Sequence, residues 1–369
     1  MASGNGVLAS SMRLLERPPG EVARLLAIRH LVEWNRARER LDNSSDVEAL
    51  HDFRVTLRRL RSLSRALRSP SDPLLPRRLR RRLRGMAEAT GESRDLEVQE
   101  GWVRAQISSL PARQRAGIRR MLSVLDTRRR VANERLRRRL AKRFGPLEER
   151  LRATLVEGKG PDVAQPPAEL PSAGTLVGEA VLRWTGSLES QLGTVHTVAD
   201  DRAAHTARIA VKRLRYLLEP FQAERSAIAP ALTGLKQLQD LLGDLHDSHR
   251  IAGELRQAFL GAAVAHAEWR WDDVLPWTGP VTEAKPSTGP DPRAGLVALA
   301  RGLGTRGAEL FSRLKSDWLE GGAAARLCAQ LRAIAEQAAT AHRPGIEIER
   351  KYLLSALPPH AVSFPAEEI

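Results

Sequence analysis

The sequence contains little cysteine, few aromatic residues and no long apolar stretch. Its single cysteine among 369 residues, Cys328, excludes an internal disulfide bond and fits a reducing compartment such as the cytoplasm. We interpret Cys328 as a small buried apolar residue. No apolar run of about 18 residues is present, so we expect neither a membrane-spanning helix nor a membrane partner.

Aromatic side chains make up only 4% of the sequence, and runs of strand-favouring residues are scarce. Ala, Leu, Arg and Glu dominate, and these residues favour helices, so we predict an all-α fold. The G-x-S-x-G, Walker A and paired Cys/His patterns of common enzymes do not occur. We therefore expect no catalytic residues and no cofactor in the helical part.

Positive charge is what the sequence has in excess. It contains 59 Lys and Arg against 44 Asp and Glu, a formal net charge of +15, and 52 of the 59 cations are Arg. Such an excess indicates an anionic partner, and the planar guanidinium fork suits phosphate. A general preference for Arg codons is the alternative explanation for part of it.

One basic stretch, residues 50–67, predicts a helix with two different sides. Its basic residues are spaced three and four apart and so share one face: His51, Arg54, Arg58, Arg61 and Arg65. An adjoining apolar side is formed by Phe53, Leu57, Leu60, Leu63 and Leu67. Stacked like charges repel one another, so this stripe needs either a polyanion or acidic partner helices.

The same stretch recurs 154 positions later as His205, Arg208, Lys212 and Arg215, and both copies fit H-x-x-R-x-x-x-[RK]-R-L-R. Downstream, a shift of 152 places Arg84, Glu88, Gly91 and Asp95 on Lys236, Asp240, Gly243 and Asp247. This internal duplication predicts two four-helix bundles related by a pseudo-two-fold axis.

The predicted organisation has three parts. Residues 1–157 form the first helical repeat, and residues 175–342 form the second after a proline-rich linker. Residues 345–369 form a short tail that begins with the alternating, strand-like pattern IEIERKY.

The paired stripes predict a basic groove for a linear chain of phosphates, with some cations oriented by Glu88, Asp95, Asp240 and Asp247. Single-strand binders usually place aromatic residues among their basic ones, whereas only Tyr216 adjoins a stripe, which weighs against nucleic acid. An inter-helix network of ion pairs without a ligand is the alternative. We expect the triplets Arg128–Arg130 and Arg137–Arg139 to be mostly solvated.

The histidines allow two interpretations each. His51 and His205 at the starts of the helices could donate to phosphate or make structural hydrogen bonds, and the repeat favours phosphate. His246 and His249 have the spacing of a metal pair, but Arg94 stands at the position equivalent to His246, so we interpret them as structural.

These motifs resemble the CHAD family, the conserved-histidine α-helical domain. The resemblance rests on HDFRVTLRRLRS, HTARIAVKRLRYLLEP and LKQLQDLLGDLHD and covers about residues 15–342. It implies two bundles around a pseudo-two-fold axis and the binding of inorganic polyphosphate. The implied phosphate contacts are His51, Arg54, Arg58, Arg61, His205, Arg208, Lys212 and Arg215, with Arg65, Arg84 and Lys236 as further candidates.

The tail resembles the start of a CYTH domain, the triphosphate tunnel family, through the E-x-E-x-K pattern of Glu347, Glu349 and Lys351. That resemblance implies a divalent metal held by the two glutamates. We expect the pattern here to be an incomplete CYTH segment, with a latent rather than a working metal site.

The leading functional prediction is a non-catalytic polyphosphate-binding protein of the cytoplasm, with association to polyphosphate granules as a further expectation. Two alternatives remain: an RNA- or DNA-binding protein, and a triphosphate or polyphosphate hydrolase in an intact parent that contains a whole CYTH domain. The sequence does not indicate an oligomeric state.

Overall fold

The computed structural model describes residues 13–43, 46, 48–67, 74–156, 171–274 and 291–340. These residues form helices joined by short connections, with no strand among them, which confirms the predicted all-α class. None of the helices in these ranges is long and apolar enough to cross a bilayer. The strand-like tail, including Glu347, Glu349 and Lys351, lies outside the described residues.

The first half contains five helices in the described ranges. They are α1 (Pro19–Arg40), α2 (Ala49–Ala66), α3 (Arg77–Ala89), α4 (Gly91–Ile107) and α5 (Arg115–Val156). Helix α2 is the predicted stripe helix. Asp46 accepts hydrogen bonds from the N–H groups of Glu48 (3.1 Å) and Ala49 (3.0 Å), so its carboxylate caps the start of α2.

The second half repeats this order. Its helices are α6 (Ala173–Leu192), α7 (Asp201–Leu218), α8 (Ile228–Val274), α9 (Pro292–Arg313) and α10 (Ala323–Ala339), and a π-helical turn, Leu314–Glu320, continues α9. Helix α7 is the second stripe helix. The 47-residue α8 corresponds to α3 and α4 together, which are separated by Thr90 in the first half.

Two apolar clusters hold the helices together, and each combines residues from both halves. The larger one joins α1, α2, α3 and the end of α5 to α6, α7, the start of α8 and α10. The smaller one joins α4 and the start of α5 to the end of α8 and α9. The predicted apolar side of α2 is confirmed as buried: Phe53, Leu57, Leu60, Leu63 and Leu67. The division at residues 157 and 175 remains a prediction.

Helices α6 and α10 approach each other so closely that two positions require glycine. A Cβ atom at Gly174 would lie 2.2 Å from the carbonyl oxygen of Ala338, and one at Gly178 would lie 2.6 Å from that of Ala335. Backbone atoms cannot move aside as a flexible side chain can. The absence of a side chain at these glycines therefore sets the spacing of the two helices.

We expect Gly174→Ala to lower the free energy of unfolding by about 1–3 kcal/mol, because the added methyl overpacks the α6–α10 contact. Gly186→Ala is the matched control on the same helix, since its Cβ would meet nothing within 4 Å. That change should stabilise the helix by up to about 1 kcal/mol. Urea unfolding of both variants measures the difference, and equal stabilities would contradict the packing argument.

Candidate functional site: a basic seam between α2 and α7

The two stripe helices lie against each other and bring their basic faces together. We call this surface the basic seam and define it by five basic residues of each helix: His51, Arg54, Arg58, Arg61 and Arg65 on α2, and His205, Arg208, Lys212, Arg213 and Arg215 on α7. Arg58 and Lys212 occupy equivalent positions of the two repeats. The charge of Arg58 acts on Lys212, so these two residues lie close together. The centre of the seam is therefore where the two copies of the motif meet.

Lys212 is the most perturbed cation of the seam. Burial lowers its pKa to about 7, and the positive charges of Arg208, Arg58 and Arg54 act in the same direction. Asp247 opposes the shift without cancelling it. At neutral pH the protein therefore holds this amine at the edge of losing its proton.

Arg54 is anchored at the interruption between α3 and α4. Its Nη1 donates to the carbonyl oxygen of Thr90 and, at 3.2 Å, to the Thr90 hydroxyl. Burial, followed by the charge of Arg58, lowers its pKa to about 10. A Cβ at the adjacent Gly91 would lie 3.9 Å from Nη1 of Arg54, and one at the equivalent Gly243 would lie 3.5 Å from Nε of Arg208. The two guanidinium groups thus rest on equivalent glycines.

Three buried nitrogens of the seam have no hydrogen-bond partner among the described residues. They are Nε of Arg58, Nε of Arg208 and Nδ1 of His205. Buried polar atoms are normally paired, and an unpaired one costs roughly 1–3 kcal/mol. The two arginine Nε–H groups could donate to a ligand rich in hydrogen-bond acceptors.

Both predicted histidines lie in the seam, and both have lowered pKa values. The main cause is burial; the charges of Arg94 and Arg58 add to it for His51, and those of His246 and Arg208 for His205. An anion placed beside either ring would raise its pKa again. A negative ligand therefore favours the charged form of both histidines.

His246 and His249 have structural partners, in line with our interpretation. The Nδ1 atom of His246 lies 3.0 Å from a carboxylate oxygen of Asp201, and Nε2 of His249 lies 2.7 Å from the carbonyl oxygen of Val198. In the described ranges, no group of three or more potential metal ligands is present.

The two ends of the seam differ in charge. Arg59 and Arg215 both form ion pairs with Glu219 at 2.9 Å, which joins α2 to α7. A shift of 154 places Arg59 on Arg213 and Arg65 on Glu219. At the other end of the seam, the ion pair of Arg59 with Glu219 is therefore replaced by two cations, Arg213 and Arg65. Burial and the charge of Arg65 lower the pKa values of both Arg61 and Arg213. One end is therefore neutralised, whereas at the other end no described carboxylate forms an ion pair with Arg65 or Arg213.

Comparison with known proteins gives a family for this arrangement. A family model for the CHAD domain matches residues 26–256, more than half of the chain. The chain belongs to the CHAD family. Comparison with curated protein sequences gave no match.

Two solved structures share this CHAD fold at low sequence identity. The crystal structure of the CHAD domain from the plant Ricinus communis has a TM-score of 0.54 at 20% identity, and the alignment covers 86% of this chain and 92% of that one. PptA from Streptomyces chartreusis has a TM-score of 0.51 at 16% identity, covering 87% of this chain and 99% of that one. At such identities the likeness concerns the fold alone.

Some predicted residues of this CHAD chain lie at the margin of the seam. Arg84 and Lys236, equivalent in the two repeats, are exposed and form pairs within their own helices, with Glu88 (2.8 Å) and Asp240 (3.0 Å). Arg84 still neighbours Arg61 electrostatically. Arg215 belongs to the seam but is occupied by Glu219 and by Gln239 (3.0 Å).

Asp95 and the first arginine triplet differ in part from the sequence-based expectation, whereas Arg137 and Arg138 of the second triplet are exposed as expected. Asp95 pairs with Arg250 at 3.1 Å, so it joins α4 to α8 in addition to its electrostatic effect on Arg54. Arg128 and Arg129 are not simply solvated, because they pair at 2.6 Å with Glu254 of α8 and with the buried Glu100 of α4. They are structural links between helices.

Sequence reasoning missed three contributors to the site: Thr90, Arg94 and Arg213. Arg213 lies inside the repeated motif, so its equivalence to Arg59 was a usable signal. Arg94 is one of the charges that lower the pKa of His51. No sequence pattern marks Thr90, because Arg54 contacts its backbone carbonyl group, which every residue has.

We expect Lys212→Met to raise the stability of the free protein below pH 7. The folded-state pKa of Lys212, about 7, lies below the ordinary value of 10.5, so folding is opposed by the charged form. That cost is complete below pH 7 and disappears as the pH rises toward 10.5. Because one pKa unit corresponds to about 1.4 kcal/mol, the gain should be about 1–4 kcal/mol after allowance for partial exposure.

Denaturant unfolding at pH 6.5 and pH 9.5 measures this effect. The gain from Lys212→Met should shrink at the higher pH, whereas Lys236→Met, which removes an exposed lysine from the same half, should show no such trend. If Lys212→Met is less stable than the unmodified protein at pH 6.5, the conclusion that the buried charge of Lys212 opposes folding is refuted.

Proposed function

We propose that this protein binds inorganic polyphosphate along the basic seam and does so without catalysis. The observation that carries the proposal is the position of Lys212 among Arg54, Arg58 and Arg208, cations contributed by both repeats. Such a cluster is costly unless a polyanion neutralises it. Membership of the CHAD family and the family resemblance described above support the same ligand.

The burial of the aromatic residue beside the second stripe supports polyphosphate over nucleic acid as the ligand. A protein that binds single strands stacks bases on accessible aromatic rings. Tyr216, the aromatic residue that adjoins the second stripe, is only 6% exposed, and the guanidinium of Arg215 lies 5.2 Å from its ring centre. That ring is covered, which favours a ligand without bases.

The proposal assigns the seam a role in binding and neutralising charge, and it includes recruitment of the protein to polyphosphate granules. Arg and Lys side chains on two fixed helices present many donors along a line, which suits repeated phosphate groups. The alternative, a general polyanion surface, is separated from this proposal by competition with RNA.

We expect Arg58→Ala combined with Arg208→Ala to weaken the binding of long-chain polyphosphate by about 100-fold or more at physiological salt. Each charge-assisted hydrogen bond contributes roughly 1.5–3 kcal/mol, and 1.4 kcal/mol corresponds to tenfold in Kd. The matched control is Arg119→Ala with Arg120→Ala, an exposed pair on α5 that removes the same charge. It should change Kd by less than threefold.

A fluorescence titration measures both Kd values, and single-stranded RNA of equal total charge serves as the competitor. Polyphosphate should be preferred by at least about tenfold. Equal competition by RNA would reduce the seam to an unspecific polyanion surface. Equal losses in the two double variants would remove the seam from the binding site.

We expect the affinity for polyphosphate to fall as the pH rises from 6 to 9. Phosphate beside Lys212 raises its pKa above the free value of about 7, so binding takes up a proton when the free amine is neutral. Calorimetry in buffers with different ionisation enthalpies measures this uptake. Lys212→Met should flatten the pH dependence above pH 7, and proton release on binding would contradict the mechanism.

A further inference from the structure

A second basic site lies beside the positive end of the seam, between α3 and α5. It is a cavity of about 730 Å³ lined by six cations: Arg81, Arg82, Arg84, Arg139, Lys142 and Arg143. Glu88 is the acidic residue of its lining. A concave surface with this charge concentrates anions, because its walls exclude the water that would screen the field.

The charges of this cavity are largely unpaired. Glu88 pairs with Arg84 at 2.8 Å, and no carboxylate of the described residues lies within ion-pair distance of the other five cations. Elsewhere on α5, some exposed arginines have acidic partners: Arg138 pairs with Glu134 (2.8 Å) and Arg152 with Glu148 (2.7 Å). Single arginines without an ion pair also occur elsewhere on α5 in the described residues, but the cavity gathers five such cations around one concave surface.

The cavity is continuous with the seam through neighbouring charges. Arg61 of the seam neighbours both Arg84 and Glu88 electrostatically, and Glu88 in turn neighbours Arg139. The pKa of Glu88 is lowered, first by its hydrogen bond with Arg84 and then by the charges of Arg61 and Arg139. A Cβ at Gly85 would lie 3.5 Å from Nη2 of Arg139, so that guanidinium reaches across to α3.

At the other end of the seam, the residues equivalent to Arg81 and Arg82 of the cavity lining are not basic. Under the 152-residue offset, Arg81 and Arg82 correspond to Thr233 and Gly234 on α8. A Cβ at Gly234 would lie 3.2 Å from the side chain of Leu327, so this position is covered by α10. Glu219 neutralises cations at the same end. In the described part of the chain, Arg81 and Arg82 therefore have no basic equivalents at that end.

We propose that the α3–α5 cavity is a one-sided arm of the seam that binds the phosphates of a polyphosphate chain held at its centre. The affinity then increases with chain length, because only a long chain reaches from Lys212 past Arg61 and Arg84 to Arg139, Lys142 and Arg143. This inference rests on the proposed function and adds a site outside the duplicated motif.

The test compares tripolyphosphate with long-chain polyphosphate on the full chain. Lys142→Glu with Arg143→Glu should weaken the long chain by at least about tenfold and lower the salt dependence of its binding, while leaving tripolyphosphate within twofold. The matched control is Arg119→Glu with Arg120→Glu. These two exposed residues are consecutive in sequence, lie on the same helix roughly 35 Å from Lys142 and Arg143, and undergo the same change in charge. It should leave both ligands within about threefold.

The possible results separate this inference from the function on which it rests. Equal weakening of both ligands, an equal effect of the control pair, or no effect on the long chain would each overturn the arm while leaving the seam as the binding site. Failure of the unmodified protein to bind either ligand would overturn the proposed function and the arm together.

Discussion

The constraint on which the structure depends is the enforced proximity of like charges between α2 and α7. Arg54, Arg58, Arg208 and Lys212 lie close enough to lower the pKa values of Arg54 and Lys212. Free helices with such faces would move apart. They are held together by their opposite sides, which lie in one apolar cluster that joins both halves of the chain. Burial of apolar surface there offsets the repulsion in the seam.

The duplication explains why the seam is positive along most of its length. When two copies of one motif pack with their equivalent faces together, a basic face necessarily meets a basic face. Arg58 and Lys212 at the centre follow this rule. Glu219 breaks it, because it replaces the equivalent of Arg65 by an acid that binds Arg59 and Arg215. A single substitution between the repeats thus gives a symmetric scaffold a neutral end and a positive end.

The sequence predicted what periodicity and repetition determine. The spacing of three and four residues identified the stripe of α2 and its buried apolar side from Phe53 to Leu67, and the repeated motif identified the stripe of α7. What it could not supply were contacts set by tertiary packing. The hydrogen bond from Arg54 to the carbonyl group of Thr90 involves a backbone atom, which leaves no trace in a side-chain pattern. Likewise, the sequence around Arg128 and Arg129 is typical of a solvated surface, but both residues form ion pairs with acids on other helices.

The difference between Arg58 and Lys212 at equivalent positions has a physical consequence. An arginine keeps its proton in proteins, whereas a buried lysine can lose it. Two arginines at the centre of the seam would therefore impose their full repulsion on the free protein at every pH. With lysine in one copy, the pKa of about 7 allows the free protein to lower this repulsion near neutral pH. A polyanion bound as proposed would restore the charge by raising that pKa, so the second repeat supplies an adjustable cation where the first supplies a fixed one.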